Sequence, residues 1–317
     1  MEGWFAASAQ QLHHAAPQEL ATCMWALGRL RLLPSKQWMR TFYSCSKRAL
    51  EAAAAPGAQR QQQQGRCITV QALGDMLGGL ASLGQHPPHP WVWAYWAALQ
   101  RRGCVLPAGA GCGSSGYACD SGVGAAQGHM AHRHSPHSTT NWIAAAARHD
   151  SSRTDHAAVI RVVWAVAKLR LPRSRSTDAM LSRAVDQMRP VLHLLPAEQL
   201  LQLAWGVMRL RLPVTHDWCN ALLQQAGVHA AALHPQQLLR LTWTLANMHH
   251  QGADAGLIAQ YGQLAASRLA AFEQPEKAQL AALLTELYDT VQAAASQPDT
   301  HARGVTAQTR QQLAPVL

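Results

Sequence analysis

Residues 200–218 read LLQLAWGVMRLRLPVTHDW: an apolar run centred on Trp205, a basic tail closed by Pro213, and a polar stretch leading to a second tryptophan, Trp218. The same string recurs as LATCMWALGRLRLLPSKQW at 20–38, VIRVVWAVAKLRLP at 159–172 and LLRLTWTLANMHHQGADAG at 238–256. Trp164, Trp205 and Trp243 stand 41 and 38 residues apart (205 − 164 and 243 − 205). Two weaker copies, ALGDMLGGLASLGQHPPHPW at 72–91 and QLAALLTELYD at 279–289, fit the same frame with Gly78 and Thr285 in the tryptophan slot. In three copies a second tryptophan follows the slot by 13 residues, giving Trp38, Trp91 and Trp218. Self-similarity at this period marks a stacked repeat protein, in which each unit buries its apolar face only against its neighbours.

Each copy reads as two helices. Pro17, Pro196 and Pro235 stand a few residues ahead of the apolar run, where a fixed φ and a missing amide hydrogen cost a helix start nothing. The first helix is expected to end near Pro34, Pro172 or Pro213, because proline cannot continue the ladder. Ser35, Ser176, Thr215 and Asp254 are the expected N-caps of the second helix. Almost no strand-like runs of β-branched residues interrupt a composition that is 48% hydrophobic and 14% charged. The expectation is therefore an all-α solenoid of stacked helical hairpins, with about two units over 1–100, three over 157–292 and a tail over 293–317. No apolar run approaches a membrane span, so no membrane partner is expected.

Residues 101–156 differ. They are rich in glycine, serine and histidine and read as a disordered linker, too poor in apolar surface to fold alone. Cys104, Cys112 and Cys119 with His129, His132, His134 and His137 raise zinc binding, but their spacings match no compact knuckle, and no metal or other cofactor is expected. Cys23, Cys45, Cys67 and Cys219 lack framework spacing and read as free thiols.

A formal net charge of +10 and a pI near 9.7 favour an acidic polymer as partner. The charge is also periodic. Four residues after the slot come Arg29, Lys168 and Arg209, and six after it Arg31, Arg170 and Arg211; the copy at 238–256 has Asn247 and His249 there. At about 100° per residue, the aliphatic positions of the third tryptophan copy, Leu200, Ala204, Val207 and Leu210, fall together on the far side of the helix from Trp205. The plus-four position then lies beside the minus-three position on the tryptophan side. That pairs Arg29 with Thr22, Lys168 with Arg161, Arg209 with Gln202 and Asn247 with Arg240.

A polar pair that changes from unit to unit on one face is the pattern of modular RNA readers. The competing reading is solvated charge at a helix end, where cations also oppose the negative end of the dipole. The plus-six arginines lie at or beyond the helix end and read as phosphate contacts or plain surface. For the slot tryptophans, packing between repeats is the expected role and base stacking the alternative.

PAEQLLQLAWGVMRLRLP, PQQLLRLTWTLANM and PQELATCMWALGRLRLLP resemble the octotricopeptide repeats of green algae, and the second tryptophan in SKQWM, PPHPWVW and HDWCN is similar to that pattern too. The resemblance covers about 17–100 and 157–292; the copy with Gly78 departs from it, and no C-terminal RAP domain can be fitted after 292. It implies kinship with FAST-kinase-like and RAP-domain proteins that act on organelle RNA. The implied function is binding of specific single-stranded organellar transcripts to support their processing, stability or translation, with other RNA-processing proteins as further partners. The implied compartment is the chloroplast or the mitochondrial matrix; residues 1–10 contain Glu2 and no arginine, unlike a transit peptide, so location rests on the resemblance. The same solenoid would serve an armadillo- or HEAT-type protein scaffold, which stays open as the alternative. No phosphate loop, nucleophile elbow or partnered histidine stands out, so neither an enzyme nor a small-molecule substrate is expected.

Overall fold

In the computed structural model, residues 2–55, 68–101, 156–248, 255–268, 270 and 272–295 are described. The chain is an all-α solenoid, with no strand among the described residues. The helices are α1 (Glu2–Gln11), α2 (Pro17–Leu30), α3 (Lys36–Ala54), α4 (Val70–Leu83), α5 (His89–Arg101), α6 (156–169) and α7 (Arg175–Asp186). A 3-10 turn over Arg189–Leu194 precedes α8 (Ala197–Leu210), α9 (His216–Ala230), α10 (Pro235–Ala246), α11 (Ala255–Ser267) and α12 (Gln274–Ala295).

Two layers run along the stack. The helices carrying the repeat slots, α2, α4, α6, α8, α10 and α12, pack each on the next, and α1, α3, α5, α7, α9 and α11 form the second layer. Leu200, Leu203, Val207, Leu210, Leu238, Leu241 and Leu245 are all buried, so the aliphatic stripe inferred from helical spacing is the core. Small residues set the helix approach: a Cβ on Gly28 would lie 2.8 Å from the Cα of Gly79, and one on Gly79 would run into the Met24 carbonyl. Gly206 meets α6 in the same way, against Val163 and the backbone of Trp164.

The stack is continuous across the insertion. A Cβ on Gly74 of α4 would meet the backbone of Ala158 in α6 at 3.0 Å, the Arg161 guanidinium pairs with Asp75 at 3.1 Å, and the Trp96 indole donates to the Pro172 carbonyl at 3.1 Å. The linker expected over 101–156, with its cysteines and histidines, lies outside the described residues from 102 to 155, as do Cys67 and Asp254. Cys23, Cys45 and Cys219 are free thiols.

The second-slot tryptophans join successive units. Trp38, Trp91 and Trp218 are fully buried, and each indole N–H reaches back to an earlier element: Trp38 to the Ser8 hydroxyl (3.0 Å), Trp91 to the Ser46 hydroxyl (2.8 Å) and Trp218 to the Val185 carbonyl (3.0 Å). A buried indole without an acceptor would lose its hydration uncompensated, so these bonds specify how units stack as well as stabilising them. The position follows from capping. Ser35 and Thr215 accept from the backbone N–H of Trp38 and Trp218 at 3.2 and 3.3 Å, which fixes each tryptophan in the first turn. In the α7 unit the cap is Ser174, which accepts from Thr177 N–H at 3.2 Å, and not the expected Ser176; the helix starts two residues earlier than the sequence pattern suggests.

Candidate nucleic-acid interface

The slot tryptophans sit opposite the buried stripe. Trp25 is 42% and Trp243 38% exposed, while Trp164 and Trp205 are half-buried with part of each ring against the core. Trp164 and Trp205 thus keep part of the packing role expected for the slot tryptophans, while Trp25 and Trp243 are open and the fully buried joints between units are made by the second-slot tryptophans. The reason is angular: the aliphatic stripe and the glycine contacts already occupy the sides of the helix that face neighbouring helices.

The plus-four cations stand beside these rings. The Arg29 guanidinium lies 5.9 Å from the Trp25 ring centroid and the Lys168 ammonium 4.7 Å from that of Trp164, within the range of cation–π attraction. Both residues are exposed, as is Arg209, and none of the three side chains has a hydrogen bond or ion pair with a described residue. In the α4 unit, Gly78 and Ser82 hold the slot and the plus-four place, leaving a rung without an aromatic ring or a cation. Asp289 stands at plus four in the last unit, so the cationic character belongs to the stack from α2 to α8.

The minus-three partners divide. Thr22 and Arg240 are exposed and Gln202 is half-buried. Arg161 is drawn off to Asp75, whose carboxyl burial pushes up while Arg161 and a 2.9 Å hydrogen bond from Gln71 pull it down. Burial dominates that balance, so Arg161 belongs to the seam between α4 and α6 and is not free for a ligand. Asn247 donates its amide to the Trp243 carbonyl at 2.9 Å, which leaves its side-chain oxygen as the group turned outward for an acceptor role.

The plus-six residues carry a feature that helical spacing does not show. Arg31, Arg170 and Arg211 have φ of 53°, 48° and 51°, and in the α4 unit the same place is held by Gly84 at 67°. All four helices end alike. The left-handed residue donates back three residues, to Gly28, Ala167, Met208 and Ala81, and the next residue donates back five, to Leu27, Val166, Val207 and Leu80. This closure satisfies the last carbonyls and is ordinarily built on glycine. Leu171 and Leu212, which follow the turn, are buried and complete its apolar contact. Gly84 standing in register with three arginines was the sequence signal for it. The three arginines are exposed, and their side chains make no hydrogen bond or ion pair with a described residue.

Other arginines are committed to the scaffold. Arg173 binds Asp178 at 2.6 Å and the Leu210 carbonyl at 3.2 Å, Arg189 binds Asp217 at 2.6 Å, and Arg268 donates to the carbonyls of Ala231 and Leu233. Among the described residues no group of histidine, cysteine and acidic side chains is arranged to hold a metal ion, and no helix is long and apolar enough to cross a membrane. His13, in the turn after α1, does touch Cys45 at 3.4 Å and Arg48 at 3.4 Å in the middle of α3. No protein-family model matches this chain, and no curated protein matches its sequence.

Proposed function

We propose that this chain binds single-stranded RNA along its tryptophan face, as a helical-repeat protein of the octotricopeptide type acting on chloroplast or mitochondrial transcripts. The supporting observation is the repeated pairing of a partly exposed tryptophan with an uncommitted cation, Trp25 with Arg29 and Trp164 with Lys168, and the recurrence of the same two residue types at Trp205 and Arg209. Exposing tryptophan to water is unfavourable, and a cation beside it raises the attraction of the site for a flat, electron-rich base bearing a phosphate. Stacking of bases on aromatic rings with backbone neutralisation by nearby cations is how sequence-tolerant single-strand binding is built. The variable residues Thr22, Gln202, Arg240 and Asn247 beside the rings are the candidates for base selection.

The experiment is salt-dependent binding of a fluorescent single-stranded RNA to the parent and to a variant with Arg29→Gln, Lys168→Gln and Arg209→Gln. The variant should bind more weakly, with a slope of log K against log salt reduced by about 0.7 for each phosphate left without its cation. If the parent binds RNA and the variant matches it at every salt concentration, the cations are helix-end decoration. If the parent binds no RNA, the scaffold reading replaces this one.

A further inference from the structure

The left-handed turns at the ends of α2, α6 and α8 are occupied by the wrong residue for stability. A non-glycine residue in that conformation brings its Cβ too close to the backbone, and glycine serves the same turn at Gly84. Yet arginine stands there in three units. At Arg170 the side chain shares a pocket with a second arginine.

Arg170 and Arg209 line one open pocket between α6 and α8, with Ala167, Leu171, Arg173 and Leu210. Arg173 is already taken by Asp178 and the Leu210 carbonyl, so two guanidinium groups share the pocket with no counter-ion among the described residues. They are the plus-six residue of one unit and the plus-four residue of the next. Two guanidinium groups lining one pocket, with no carboxylate partner among the described residues, attract an anion.

We infer that the plus-six arginine of the α6 unit and the plus-four arginine of the α8 unit, Arg170 and Arg209, form a two-cation subsite for a backbone phosphodiester of RNA. Arg211 is followed by Asn247 and forms no such pair. The inference rests on the RNA-binding reading and adds where one of the strand's phosphates sits: at the junction between the α6 and α8 units, one step from the rings. Two guanidinium groups match the charge and the spread oxygens of a phosphodiester, and each supplies two parallel donors.

Glycine makes the test clean, because it fits the left-handed turn better than arginine and removes only the side chain. Arg170→Gly and Arg211→Gly are compared with the parent in urea unfolding and in salt-dependent binding of single-stranded RNA. R170G should keep or raise the urea midpoint and lower the salt slope by about 0.7. R211G should raise the midpoint and leave the slope unchanged. Arg170→Lys should restore the slope at that position. If the parent binds RNA but R170G leaves the slope as it was, or if R211G lowers it equally, the junction subsite is overturned while the RNA reading survives. If the glycine variants instead weaken binding to anionic lipid vesicles and not to RNA, the ligand assigned here is wrong. A parent that binds no RNA overturns the underlying reading.

Discussion

Replacing Trp218 with phenylalanine isolates the bond that ties α9 to α7. The indole is fully buried and donates to the Val185 carbonyl at 3.0 Å. Phenylalanine keeps the six-membered ring and removes the donor together with the volume of the fused ring. A typical buried hydrogen bond contributes about 1 kcal/mol net. The space left behind, roughly 40 Å³, adds about 1 kcal/mol at the cavity cost found for buried truncations. Val185 is little affected otherwise, since its carbonyl also accepts from Met188 N–H at 3.0 Å. The expected loss is therefore about 2 kcal/mol, against about 3–5 kcal/mol for Trp218→Ala. Urea unfolding followed by far-ultraviolet circular dichroism reads it, with the midpoint as the quantity compared because repeat arrays need not unfold in one step. Trp91→Phe should behave like Trp218→Phe, since its acceptor, the Ser46 hydroxyl, is also buried. Trp38→Phe should cost less, because its acceptor, the Ser8 hydroxyl, is only half-buried. A Trp218→Phe midpoint equal to the parent's, or Trp38→Phe costing most, would refute the latch argument.

Removing Arg161 with alanine leaves the Asp75 carboxylate without its counter-ion at a site where burial already raises its pKa, and should cost about 1–3 kcal/mol at neutral pH. Asp75 then titrates still higher in the folded state than in the unfolded chain, so the deficit is full above the folded pKa and fades as pH falls towards the unfolded value; a melting-temperature deficit as large at about pH 4.5 as at pH 7 would contradict this. Adding Asp75→Asn to Arg161→Ala should return most of the loss. For the cap of α7, Ser174→Ala should lower stability by about 1 kcal/mol and Ser176→Ala by much less, and the reverse order in thermal melts would restore the assignment read from the sequence. Gly79→Ala places a methyl against the Met24 carbonyl backbone and should cost well over about 1 kcal/mol, whereas Gly84→Ala meets no atom and is penalised only by its φ of 67°; equal midpoints for G79A and the parent would show that α2 and α4 can part freely.

The buried stripe was legible because it obeys one rule throughout: Leu203 and Leu238 lie where helical periodicity places them, and so do the glycines that let α2 and α4 approach. The tryptophans were harder, since periodicity gives an angle and not the direction of the neighbours. Trp205 and Trp218 are equally apolar in sequence, but only the second is aimed at an earlier unit and capped into place by Thr215. The left-handed arginines were hidden by a propensity argument that works against them, for a reader looking for that turn looks for glycine. The Asp75–Arg161 pair was beyond reach for a different reason: nothing local couples two residues on either side of the insertion. Of the polar pairs inferred from helix geometry, those whose minus-three member lies away from the seam remain open to a ligand, and the one at the seam does not.

The direct packing of α4 on α6 joins the units on either side of residues 102–155: glycine against Ala158, the ion pair of Asp75 with Arg161 and the indole bond from Trp96 to the Pro172 carbonyl hold the seam. Cut between residues 101 and 156, the array would become two polypeptides whose re-association is an ordinary bimolecular equilibrium, without the effective concentration that the covalent link supplies. The seam free energy of this solenoid is thus accessible as a dissociation constant, measured by titrating one half against the other, where for most repeat arrays it must be extracted from the unfolding of the whole.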